Sequence, residues 1–280
     1  MTAAGFALAA ASATAYARTH PGTSHGLYWD AARDWSLENW PTIEQELGRI
    51  GIDHIVVPLN GHEHAIAGRA AVRWLPEHVA TLIRKARSIR VDVMIWAAPT
   101  AEFVADARRV LPRLKRAGVS IVEFDAERDA WGVVPVGTTR AAAALALLDA
   151  ARSAGLNAGV TMIPERIYPE WASADYCAVQ SYSRANGGLA NHSGDGPYAP
   201  GNMQRLGARR VQQAGMPLVQ ALAAYDQRWP GTPVVEPMRR AYEAAASSSR
   251  VVRWWSAKWV VGHRAQADVR AAIAMLTQRG

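Results

Sequence analysis

A single cysteine, Cys177, excludes an intrachain disulfide and leaves the redox compartment open. It falls inside an apolar segment, where it reads as a small core residue and not as a nucleophile. Long apolar runs are also lacking, and no stretch is long enough to span a bilayer, the Ala-rich start included. No Lys/Arg run with interleaved aromatics occurs, so nucleic acid is a poor partner despite a formal charge of +7. Phenylalanine is scarce, three residues against eleven Trp. A Trp-rich, Phe-poor balance suits flat rings that stack on sugars, although Trp also fills cores. No early strand is followed by a Gly-x-Gly-x-x-Gly turn, the mark of an open dinucleotide-binding sheet.

Half of the 280 residues are apolar, enough for a large core. One α/β barrel takes about 250 residues. From Gly26 onward, short apolar runs alternate with amphipathic stretches and no linker separates them. Strands are expected at Gly26–Asp30, His54–Asn60, Val91–Ala98, Ser120–Glu127, Asn157–Ile163, Tyr176–Tyr182, Pro217–Tyr225 and Val251–Trp259. Helical stretches lie between them, several stopping at or near a glycine (Gly51, Gly118, Gly155, Gly215), as helix ends prefer. Eight strands each followed by a helix predict a single closed (β/α)8 barrel. Two units are expected: an Ala-rich segment, 1–25, and a catalytic barrel, 26–280. Met1 to Ala17 ends in Ala-Tyr-Ala like a signal-peptide cleavage site but lacks a basic start, so export segment and N-terminal helix both stay open.

The sharpest feature is Ile121-Val122-Glu123-Phe124-Asp125-Ala126-Glu127. In a strand, side chains alternate between faces, so Glu123, Asp125 and Glu127 share one face. Crowding three carboxylates is costly, because like charges repel and burial disfavours ionisation. Proton chemistry is the usual reason to do so, with one carboxyl kept protonated as an acid. The alternative, a solvated edge strand, fits poorly with the apolar opposite face. In a barrel, chemistry belongs at the strand C-termini. That rule gathers Tyr28, Trp29 and Asp30, Asn60, Trp96, Asp125 and Glu127, Met162 and Glu165, Gln180 and Tyr182, Tyr225 and Asp226, and Trp254, Trp255 and Trp259. Carboxyls, a phenol, amides and aromatic plates together suit a carbohydrate site. Ser183 to Gly201, rich in Gly and Asn, follows strand six and would wall that site.

These residues carry a resemblance to the family 18 glycoside hydrolases, the chitinases and endo-β-N-acetylglucosaminidases. Glu123-Phe-Asp125-Ala-Glu127 resembles the end of their Asp-x-x-Asp-x-Asp-x-Glu signature, with Ser120 where its first Asp stands. Gln180-Ser181-Tyr182-Ser183 resembles their strand-six Met-x-Tyr-Asp, with Gln for Met and Ser for Asp. Trp254-Trp255-Ser256 resembles the strand-eight Trp that floors the sugar site. The resemblance implies Glu127 as general acid, with Asp125 and Tyr182 orienting the substrate's acetamido group, whose oxygen attacks the anomeric carbon. It implies that Glu123 holds Asp125 through a shared proton. Substrate contacts are expected from Glu123, Gln180, Trp255, Trp96, Trp29, Asp30, Tyr225 and Asp226.

The expected substrate is an N-acetylated aminosugar polymer, bacterial peptidoglycan ahead of chitin on the basic charge, with action outside the cell or in the periplasm. No cofactor is expected, no stable membrane insertion, and a monomer. A family 25-like lysozyme and an inactive sugar-binding barrel stay open as alternatives. His62-Glu63-His64 after strand two invites a metal reading. The further His ligands and the last-strand Asp of a His-x-His metal barrel are missing, however, so no metal is expected.

Overall fold

A computed structural model describes residues 22–29, 39–60, 76–126, 131, 138–182, 196, 199–225, 232–261 and 265–277. Eight parallel strands close in chain order into one barrel. They are β1 (Ser24–Tyr28), β2 (His54–Pro58), β3 (Arg90–Trp96), β4 (Ile121–Asp125), β5 (Asn157–Met162), β6 (Tyr176–Gln180), β7 (Leu218–Ala223) and β8 (Val251–Trp255). The closing pair runs from Ser24↔Val251 to Tyr28↔Trp255. Strand β4 is paired on both sides, with β3 and β5, and all five of its residues are buried, which removes the solvated-edge alternative. All eight strands stop short of the expected ends; β4 ends at Asp125, not Glu127, and β8 at Trp255, not Trp259.

Around the barrel stand α1 (Trp40–Arg49), α2 (Pro76–Lys85), α3 (Ala101–Ala117), α4 (Thr138–Ser153), α5 (Asn202–Gln213), α6 (Val235–Ala246), α7 (Ala257–Val260) and α8 (Ala267–Thr277). After β5 the described chain makes only a three-residue 3₁₀ turn, Pro169–Trp171, where a helix after each strand was expected. The anticipated glycine stops Gly51, Gly118, Gly155 and Gly215 all take positive φ. Helix α3 shows why such ends hold: the Thr100 side chain accepts from the Phe103 N–H at its start, and Gly118 closes it in the left-handed conformation. No helix among the described residues is long and apolar enough to cross a membrane.

Strand alternation sorts the side chains into two cores. Outward residues such as Leu27, Ile55, Val93, Phe124, Val160, Val179, Leu222 and Trp254 meet the helices and form the main apolar core. Barrel interiors are usually filled by bulky branched residues. This one holds a buried polar set, including His54, Asp92, Glu123, Thr161, Gln180 and Arg253. Two glycines make the room. A Cβ on Gly26 would fall into the His54 ring, and one on Gly159 into the Tyr176 ring. The segment 1–21 and the His62-Glu63-His64 motif lie outside the described residues.

Candidate active site

The interior network sits beneath the site and fixes its floor. Glu123, 0 % exposed, accepts from the Tyr28 hydroxyl at 2.7 Å and from Thr161 on Oε1. Its Oε2 accepts from the Tyr176 hydroxyl at 2.9 Å and from the Arg253 guanidinium. Arg253, itself 1 % exposed, also donates from Nε to His54 Nε2 at 3.1 Å. Arginine only donates, so His54 Nε2 must accept and the ring proton sits on Nδ1, facing the Asp53 carboxylate at 2.5 Å. Burial holds His54 below its ordinary pKa and pushes the Tyr28 and Tyr176 phenols well above theirs. Arg253 lies 3.9 Å from Asp92, which takes a forked pair of bonds from Arg90 at 2.8 to 3.1 Å. Glu123 and Asp92 are therefore each paired with a cation, as buried charge requires.

This arrangement corrects two expectations. Glu123 is not a substrate contact and does not share a proton with Asp125: its two oxygens are taken up by Tyr28, Thr161, Tyr176 and Arg253. Of the acids on that face, it is the one that stabilises the barrel interior. Trp29 is not at the mouth either. Alternation turns Tyr28 inward and Trp29 outward, where it is 3 % exposed and meets Trp40 edge-on at 5.6 Å in the main core.

Above that floor lie Asp125 with Gln180, and Tyr182 with Trp96, Tyr225 and Trp255. Asp125, 1 % exposed, closes β4 and accepts from the Gln180 amide at 3.2 Å. Tyr182, just beyond β6, is buried in a second cluster with Tyr28, Val56, Met94, Ala221 and Ala223, against which Trp96, Tyr225 and Trp255 pack. Trp255 tilts over Tyr28 at 5.2 Å. Asn60 ties the ends of β2 and β3 together, accepting from the Trp96 N–H at 2.8 Å and donating to its carbonyl at 3.0 Å. Trp96 is thereby held at the rim beside Asp125, its partner in register.

Glu127, Asp30 and Asp226 lie outside the described residues, as does most of the Ser183–Gly201 loop. The chain flanking Glu127 is anchored on both sides. The Ala126 N–H bonds the Thr161 carbonyl at 3.0 Å. Trp131 is buried against Trp171 at 4.8 Å and donates to Glu170 at 3.0 Å. Glu170 in turn pairs with buried Arg140. Glu165, on the turn after β5, has both carboxylate oxygens buried and no hydrogen-bond partner among the described residues. No group of His, Cys, Asp or Glu among the described residues has a metal-holding arrangement.

Sequence reading passed over Arg253, His54, Thr161 and Tyr176. A signal existed for Arg253, a charge in Val251-Val-Arg-Trp-Trp255 on the same inward face as Trp255. Its partner on another strand could not be named without the closure of the barrel.

No protein-family model and no curated protein matches the sequence. Solved structures do match. A β-galactosidase from the psychrophilic Marinomonas ef1 gives a TM-score of 0.65 at 10 % identity over 91 % of this chain. This chain spans 59 % of that protein's length. A GH5_18 protein from Streptomyces cattleya in complex with GlcNAc gives 0.62 at 14 % identity, covering 92 % of this chain and 80 % of that one. The tryptophan synthase α subunit of Legionella pneumophila str. Paris gives 0.57 at 11 % identity, covering 96 % and 95 %. Glycoside hydrolase barrels are thus among the structural neighbours. At such identities the likeness establishes the barrel, which a galactosidase and a synthase subunit share alike. Activity has to be argued from the site.

Proposed function

We propose that this barrel is a glycoside hydrolase acting on an N-acetylated aminosugar polymer, with bacterial peptidoglycan ahead of chitin as substrate. The observation that carries the reading is Asp125: a buried carboxyl at a strand C-terminus, bonded to the Gln180 amide and in register with Trp96, which packs with Tyr182 and Trp255 in one aromatic cluster. Aromatic faces of this kind stack a sugar ring while a carboxyl meets its polar edge. In the mechanism we infer, Glu127 donates its proton to the glycosidic oxygen as the bond to the anomeric carbon breaks. The acetamido oxygen of the same sugar forms the new bond to that carbon. Asp125 orients the acetamido N–H and stabilises the positive charge that develops there. Water then opens the cyclic intermediate, with Glu127 as base, and the anomeric configuration is retained. The deep Glu123–Arg253 pair keeps the floor rigid and leaves Asp125 as the carboxyl facing the sugar.

A neighbouring GH5_18 structure holds GlcNAc and another holds Manb1-4GlcNAc, which supports an acetamido sugar as ligand on this barrel. We infer a monomer acting on cell-wall material outside the cell or in the periplasm; the charge of +7 favours an anionic polymer. Incubation with peptidoglycan and with chitin oligomers, followed by mass spectrometry of the released reducing ends, tests the reading. N-acetylated reducing ends from either polymer support it. Binding without cleavage would leave a sugar-binding barrel in its place.

A further inference from the structure

Several buried acids of this barrel are matched by cations: Glu123 by Arg253, Asp92 by Arg90 and Glu170 by Arg140. Glu44 instead takes the backbone N–H groups of Arg87, Ser88 and Ile89 at 2.7 to 3.1 Å. Glu165 departs from that pattern. Both of its carboxylate oxygens are buried, and among the described residues neither has a hydrogen-bond partner. The nearby buried cation, Arg140, is held by Glu170.

The place of Glu165 in the fold is well defined. Thr161 of β5 is in register with Asp125, and the Ala126 N–H bonds the Thr161 carbonyl at 3.0 Å. Past Thr161 the chain turns through Ile163-Pro164-Glu165-Arg166, closed by the Arg166 N–H on the Ile163 carbonyl at 3.0 Å. Buried Pro164 presets the backbone just before Glu165. Beyond the turn, the Tyr168 N–H bonds the Met162 sulfur at 3.1 Å, and the Arg140 guanidinium covers the Tyr168 ring at 4.6 Å. The acid thus stands on a braced turn at the C-terminal end of the strand beside Asp125.

We propose that Glu165 is a specificity residue that binds a free amino group on a sugar unit next to the one held at Asp125. The assignment rests on the glycosidase reading and deepens it: the polymer is one in which some aminosugars have lost their acetyl group. A carboxylate out of water without a partner is costly, and buried acids persist where something pairs with them. The described residues supply no such partner to Glu165, so a ligand has to bring it. Hydroxyl groups would donate hydrogen bonds but leave the charge unmatched. A primary ammonium brings a positive charge and three N–H donors to the two oxygens. An acetamido group in the same place has one N–H, no charge and more bulk. Glu165 therefore separates the free amine from the acetylated one, while the acetamido group that takes part in cleavage stays at Asp125.

The test uses the full chain and pairs of aminosugar oligosaccharides of equal length, cut from chitin and from peptidoglycan strands. Within each pair one member is fully N-acetylated and the other partly de-N-acetylated. Dissociation constants are measured by calorimetry and cleavage by reducing-end release. Wild type is expected to bind the partly de-N-acetylated member about tenfold more tightly, in keeping with a charge-assisted hydrogen bond. Glu165→Gln, near-isosteric and uncharged, should bind both members alike, whereas Asp125→Asn should keep the preference. Denaturant unfolding supplies an independent readout: an acid with no protein partner strands nothing when it is removed, so Glu165→Met should unfold at a midpoint no lower than wild type. Equal affinity for the two members in wild type, or a preference that survives in Glu165→Gln, would overturn the assignment. So would a clear drop in the Glu165→Met midpoint, which would show the carboxyl held by the protein itself. A preference for the amine without cleavage of any oligosaccharide would uphold the role of Glu165 and refute the glycosidase reading. Cleavage with equal affinity would do the reverse.

Discussion

Replacing Glu123 by Gln separates the two roles that neighbouring acids of β4 have been given. The amide keeps the size of the side chain and an oxygen for the Tyr28 and Thr161 hydroxyls. It also turns an NH₂ toward the Arg253 guanidinium and removes the carboxylate charge bonded to it. Arg253 would remain 1 % exposed, with Asp92 at 3.9 Å already bonded to Arg90. Breaking a buried ion pair from one side costs about 3 to 5 kcal/mol. That is a large share of the roughly 5 to 15 kcal/mol that holds a protein folded. Denaturant unfolding of wild type, Glu123→Gln, Arg253→Met and the double variant measures it. The single changes should each be severe, and the double should cost less than their sum by about 2 kcal/mol or more. A Glu123→Gln cost under about 1 kcal/mol, or strict additivity in the cycle, would refute the structural role assigned to this acid.

Other consequences follow from the same geometry. Gly159→Ala places a methyl inside the Tyr176 ring and should destabilise the fold by about 1 to 3 kcal/mol, read in the same unfolding assay. Trp29→Ala should cost about 3 to 5 kcal/mol of stability, whereas Trp255→Ala should weaken sugar affinity with a smaller stability loss. The opposite pattern would reverse their assignments. Burial lowers the His25 pKa to about 4, and His54 is lowered as well. The unfolded chain therefore takes up these protons first. Stability is complete above about pH 6.5 and falls as the pH drops toward 4, by about 3 kcal/mol for His25 alone. Thermal unfolding at pH 4 to 7 should show the fall, and His25→Gln should flatten it. An unchanged slope in that variant would contradict the account.

The barrel was legible because its signals are local: apolar runs of strand length, amphipathic stretches between them, and glycines where helices stop. Strand ends were less so. The apolar run beyond β8 continues through Trp259, yet Ala257–Val260 turns into a short helix seated by its own buried residues, and Trp259 reaches the rim from there. Alternation placed Glu123 and Asp125 on one face but could not say how deep each sits. Depth follows from the stagger of the closed sheet, which brings Arg253, Tyr28, Thr161 and Tyr176 around Glu123 and leaves Gln180 for Asp125. Trp29 was misplaced by treating every strand end as facing the mouth; its neighbour Tyr28 took the inward position. The buried His54–Arg253 contact joins residues 199 positions apart, and no local pattern announces it.

The central claim is that carboxyls at the end of β4 cleave a glycosidic bond, and Glu127→Gln, measured beside Asp125→Asn, tests it most directly. On whichever aminosugar polymer the wild type cleaves, Glu127→Gln should lose turnover by about 10²- to 10⁴-fold while its affinity for uncut oligosaccharide persists. Asp125→Asn should slow cleavage with little loss of stability, unlike Glu123→Gln. Full activity in Glu127→Gln would contradict the account.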